Sequence, residues 1–90
     1  MPYIPFERRE ALLHGALADT SGELNYRFTR IMLDYLRTHN LSYQTINDIN
    51  GALMGALTEF NRRVTAPYED RKIVQNGDVY PRVVAPDLAS

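Results

Sequence analysis

The chain has 90 residues, 44% of them apolar and 23% charged, with ten basic and eleven acidic side chains and a formal net charge of -1. That length allows one domain burying only about 60 to 65% of its unfolded surface, and the near-zero charge argues against a nonspecific binder of nucleic acid or of an anionic membrane. There is no cysteine, so disulfides and thiolate metal sites are excluded; without a signal-peptide pattern or an apolar run of transmembrane length, the expected location is the cytoplasm.

Residues 1–4 read as a lead-in, and Pro5 suits the first position of a helix over residues 5–18, with Phe6, Leu13 and Leu17 as its buried side and Leu12 and Ala16 beside them. A turn follows at residues 18–22. Thr20 and Glu23 then have the spacing of a capping box for a second helix over residues 21–38, on which Leu24, Phe28, Ile31 and Tyr35 recur at helical period and Met32 and Leu36 widen the stripe. That helix is expected to end at residues 38–40, where His39 can reach terminal carbonyls and Asn40 tolerates a left-handed backbone.

The third helix is the organising element, expected over residues 43–76. Ser42 is its N-cap, with Leu41 and Ile46 as a hydrophobic staple. Ile46, Ile49, Leu53, Leu57, Phe60 and Val64 follow spacings of three and four, with Ala56 alongside. Pro67 removes an amide donor and crowds the carbonyl four residues earlier, so a kink, or a new helix starting near Pro67, is expected there. Asn76-Gly77 is a left-handed helix end. The last stretch, residues 81–90, has no helical period and reads as an extended or disordered tail behind a single domain over residues 1–80. The short loop between the second and third helices implies that these run antiparallel. The fold class is therefore all-α: a small antiparallel three-helix domain with a long, proline-kinked third helix. The wide apolar faces predict a homo-oligomer. Gly51 and Gly55 lie four apart, with Ala52 and Ala56 beside them, and each glycine costs a helix about 1 kcal/mol relative to alanine. The strip has two readings: close contact with the second helix of the same chain, or an oligomer interface.

Chemical motifs are few. Glu7 and Glu10 have the ExxE spacing with which helical nucleotide pyrophosphohydrolases hold magnesium, but the second acidic pair such enzymes require fails, because Arg62 follows Glu59 and Lys72 follows Glu69 at that spacing. His14 and His39 have no partner at metal-ligand spacing, and no serine, histidine and acid set has triad character. The expectation is a protein without catalytic residues, metal or cofactor. Nine of the ten basic residues are arginine, whose fork matches carboxylate or phosphate. Arg62, Arg63, Tyr68, Glu69, Asp70, Arg71, Lys72, Asn76, Asp78 and Tyr80 crowd around Pro67 and the helix end. They read either as an ion-pair network or as a ligand site in which arginines grip phosphate and tyrosines stack on a ring. Asn25 and Tyr26, at the start of the second helix, are further ligand candidates.

Gly22-Glu23-Leu24-Asn25-Tyr26, Tyr43, Ile46-Asn47, Gly51-Ala52-Leu53, Glu59-Phe60, Arg62-Arg63-Val64, Ala66-Pro67-Tyr68-Glu69-Asp70 and Asn76-Gly77-Asp78-Val79-Tyr80 together resemble an uncharacterised family of small phage and prophage proteins. The resemblance covers about residues 4–80 and implies a mobile-element origin but no activity. Phage proteins that sequester nucleotide immune signals of the host are similar to this chain in size, helicity and arginine-plus-tyrosine content only. The leading expectation is a homo-oligomer that binds a small phosphorylated, nucleotide-like ligand through Asn25, Tyr26, Arg62, Arg63, Tyr68, Glu69, Asp70, Asp78 and Tyr80, with Gly51 and Gly55 at the interface. The alternative is an interaction module that blocks a host protein with a helical face.

Overall fold

The computed structural model describes residues 3–81, which are helical with no strand among them. The elements are α1 (Phe6–Leu13), α2 (Ser21–His39), α3 (Tyr43–Phe60), a π-helical segment (Asn61–Thr65) and α4 (Ala66–Asn76). From Tyr43 to Asn76 the helix is unbroken, so the long third helix has the bounds read from the sequence. The tail over residues 82–90 lies outside the described residues. The chain divides into two compact units, Met1–Ala52 and Leu53–Ser90.

In the first unit α1 stops five residues sooner than the expected helix over residues 5–18. Gly15 has φ +98, and its amide donates to the Leu12 carbonyl while that of Ala16 donates to Ala11. These are the two bonds of a Schellman end, for which a glycine just past the last helical turn is the sequence signal. Leu17 consequently lies in the loop, exposed.

Two other helix ends form as their residues dictate. The Glu23 amide donates to Thr20 Oγ1 at 3.1 Å and the Thr45 amide to Ser42 Oγ at 3.1 Å, satisfying orphan first-turn donors. Asn40, the C-cap of α2, has φ +66. At the corner between α2 and α3 the Tyr35 hydroxyl donates to Asp48 Oδ2 at 2.8 Å, and buried Thr45 donates to the His39 carbonyl at 3.3 Å. Tyr35 also stacks on His39, with ring centroids 3.9 Å apart.

The second unit is the remainder of the long helix and the turn after it. Pro67 has no amide hydrogen with which to reach Arg63, and its ring crowds that carbonyl. The chain answers by widening the turn ahead of it: the Ala66 amide donates to Asn61, five residues back. A π turn of this kind keeps the helix continuous through a proline. The helix ends at Gly77, with φ +87 and its amide on the Ile73 carbonyl at 2.8 Å.

The expected core is the main correction. Phe6, Leu13, Leu17, Leu24, Phe28, Ile31, Ile46, Leu53, Leu57 and Phe60 are all exposed, and Tyr35 and Ile49 are half-buried. The buried apolar residues are Ile4 and Leu12, joined by the polar Glu23 and Thr45. The periodicity marks faces suited to burial, but among the described residues most of those side chains are exposed.

Candidate functional site

Around the end of α4, Ile73, Asn76 and the turn through Gly77, Asp78 and Tyr80 enclose an open groove of about 490 Å³. The turn is held by Asp78, whose Oδ1 accepts from the Tyr80 amide at 3.0 Å, an Asx turn of the kind aspartate favours. Glu69, Asp70, Asp78 and Tyr80 from the expected ligand set line this groove, together with Lys72.

The other expected site residues lie elsewhere. Arg62 and Arg63 both turn back on Glu59, with Nε–carboxylate distances of 3.2 and 3.1 Å, and neither lines the groove. Tyr68 lies beneath Arg71 and Lys72, whose cationic groups are 5.8 and 5.5 Å from its ring centre, a cation–π arrangement. Asn25 is exposed on α2, where its carbonyl accepts from the Thr29 hydroxyl. Tyr26 lines a small cavity between α1 and α2. The groove therefore presents three carboxylates against one ammonium. A phosphate placed in it would meet repulsion at short range with both guanidinium forks engaged by Glu59.

One polar joint, between α1 and α2, was not singled out in the sequence. Arg8 Nε and Nη2 donate to the two carboxylate oxygens of Glu23 at 2.8 and 2.6 Å, a bidentate pair. The second Glu23 oxygen also accepts from the Asp19 amide. The guanidinium and that amide hold the Glu23 carboxyl at about 2, well below its ordinary 4.5. Arg8 in turn donates to the Leu17 carbonyl, and Arg27 to that of Ala16, so arginines from both helices lash the loop down. No local pattern signals a pair fifteen positions apart; only the capping spacing of Thr20 and Glu23 hinted that Glu23 has a structural task. At the opposite corner, the bond to Asp48 pushes the Tyr35 hydroxyl above its ordinary range.

From residue 51 to residue 81 no side chain is buried, and only Thr65 is half-buried. Leu53, Leu57, Phe60 and Val64 form a stripe on this stretch and are all exposed. A Cβ added at Gly51 or Gly55 would meet nothing within 4 Å, so no close contact among the described residues accounts for either glycine.

Among the described residues no three His, Cys, Asp or Glu side chains gather where they could hold a metal ion, and no helix is long and apolar enough to cross a membrane. Fold and surface define a small all-helical domain whose dominant features are an uncovered apolar helix face and an acidic groove at the helix end. The chain belongs to the family described as Domain of unknown function (DUF6899), whose model matches residues 1–79; the resemblance to an uncharacterised family holds at that level. No curated protein and no solved structure matches the chain.

Proposed function

We propose that this protein is a self-assembling helical interaction module, in which the stripe Leu53, Leu57, Phe60 and Val64 is covered by a second copy of the chain and the assembled surface engages another protein. The observation that supports this most is the exposure of that whole stripe on a stretch, residues 51–81, in which no residue is buried. An amphipathic helix is stabilised chiefly by burial of its apolar face, and large uncovered patches mark association sites. The open space at Gly51 and Gly55 supports the interface reading of the glycine strip, since a partner helix can approach where no Cβ stands. The reading includes an antiparallel pairing of α2 and α3 within the protomer. The Tyr35–Asp48 bond and the joint lining of one apolar trough by Leu33, Leu36, Ile46 and Ile49 support that pairing. The resemblance to phage proteins supports a host cytoplasm as the module's location and a host factor as its target.

Sedimentation across a dilution series, with helicity followed by circular dichroism, tests the assembly. Gly55→Leu is expected to lower the assembly state while retaining helix, because the added side chain meets open space in the protomer. A protein that stays monomeric and fully helical at micromolar concentration overturns the proposal.

A second reading rests on the groove, where Asn76, Asp78 and Tyr80 converge with Glu69 and Asp70. Such a lining suits the ring and hydroxyl edges of a nucleoside better than its phosphates, and a phosphorylated ligand needs Arg62 or Arg63 to leave Glu59. Thermal shift against paired nucleosides and nucleotides tests it, since a ligand that binds the folded chain raises its melting temperature by mass action. The absence of any shift across the panel removes this reading.

A further inference from the structure

We propose that Arg27 and Arg30 hold a carboxylate carried on a short aliphatic body, in a cavity between α1 and α2 that is separate from the groove and from the exposed stripe. The cavity has a volume of about 190 Å³ and is lined by Leu12, Leu13 and Ile31 on its apolar side and by Tyr26, Arg27, Arg30 and Asp34 on its polar side. At about 30 Å³ per water-sized group, that volume takes roughly six heavy atoms. A four-carbon acid matches that size.

The polar side is built for an acceptor. Arg27 Nη1 donates to the Ala16 carbonyl at 3.2 Å, which fixes that guanidinium against the loop. Arg30 Nη2 donates to Asp34 Oδ1 at 3.1 Å, and Arg30 Nε is buried with no hydrogen-bond partner among the described residues, so this guanidinium has to turn toward the cavity for a ligand to reach that donor. A buried donor left unpaired is costly, and an acceptor delivered to it recovers that cost. Charge selects the acceptor. Two guanidinium groups and one carboxylate line the cavity, and Arg37 also reaches that carboxylate at 3.3 Å, so positive charge is in excess, which suits an anion. A phosphate dianion would bring its second charge against Asp34 and leave oxygens facing Leu12, Leu13 and Ile31, where nothing can hydrogen-bond them. The planar fork of arginine fits the two oxygens of a carboxylate, and the aliphatic wall accepts the chain behind it.

The test uses the full-length chain and heteronuclear NMR, with butyrate, butylamine and inorganic phosphate as probes. Butyrate is expected to give saturable shifts at Leu13, Tyr26, Arg27, Ile31 and the Arg30 side-chain Nε–H, whereas butylamine and phosphate give none at these positions. Arg30→Lys, which keeps the charge and loses the fork, is expected to weaken butyrate about tenfold. Arg27→Gln serves as a second variant should the first disturb the helix, and helicity is checked for both. The proposal is overturned if butyrate produces no saturable change, if butylamine or phosphate produces the same one, or if both variants, still helical, bind butyrate as tightly as the original chain. None of these readouts depends on self-assembly, so failure here and failure of the assembly reading are separable.

Discussion

Truncating Phe60 to alanine tests whether the exposed stripe is an interface. Phe60 closes α3 and is 56% exposed, so of an aromatic side chain's roughly 200 Å² about 110 Å² is free for a partner to cover. At about 25 cal/mol per Å² that area is worth about 2.8 kcal/mol on burial. Alanine retains a part of it, which leaves a loss of about 2 kcal/mol per chain. In a two-fold dimer each copy contributes the same patch. The loss is then about 4 kcal/mol, or roughly a thousandfold in the dimer dissociation constant. Because alanine is the best helix former, the variant's helix should not suffer beyond what assembly supplied. Sedimentation equilibrium from nanomolar to high micromolar concentration measures the constant, and circular dichroism at each concentration reports the helix. An unchanged dissociation constant for Phe60→Ala, with the original protein shown to assemble, would place the interface elsewhere and refute the argument from this stripe.

The Arg8–Glu23 joint makes the first unit acid-sensitive. The Glu23 carboxyl is depressed to about 2 from its ordinary 4.5, so its contribution is complete above about 4.5 and is lost as pH falls through about 2. Melting temperatures taken between pH 5 and pH 2 should fall for the original chain and fall less for Glu23→Gln, which has no carboxyl to titrate at that position; parallel profiles would dismiss the linkage. Gly15→Ala isolates a conformational cost, because an added Cβ meets nothing within 4 Å while φ stays at +98. Denaturant unfolding should register a loss of about 1–2 kcal/mol, and a neutral result would mean that α1 does not end at this turn in solution.

Much of the local structure was legible residue by residue. Thr20 and Ser42 cap their helices because a hydroxyl at that position reaches a first-turn amide, whatever surrounds it. Asn40, Gly15 and Gly77 adopt positive φ because their side chains permit it; Gly15 carried the same signal as Gly77, and the expected helix over residues 5–18 ran through it against that signal. Pro67 perturbs the ladder in any context, but whether a kink or a π turn results depends on the preceding turn, and the Ala66–Asn61 bond is visible only in three dimensions. The candidate site was legible in composition and not in arrangement. Asp78 and Tyr80 meet Glu69 and Asp70 because a helix end folds back through Gly77, whereas Arg62 and Arg63 sit three and four positions after Glu59 and close on it along their own helix.

By itself the sequence determined the helices, most of their caps and the faces that carry apolar residues, since those follow from backbone sterics, local hydrogen bonds and a period of 3.6. Tertiary structure alone decided what those faces meet. Leu53, Leu57 and Phe60 have the spacing of a core and lie open in the protomer, while Glu23, read as a cap, is buried on Arg8. Periodicity records that a face is apolar, but burial depends on which surface comes to lie against it, and that surface is remote in the sequence or belongs to another chain.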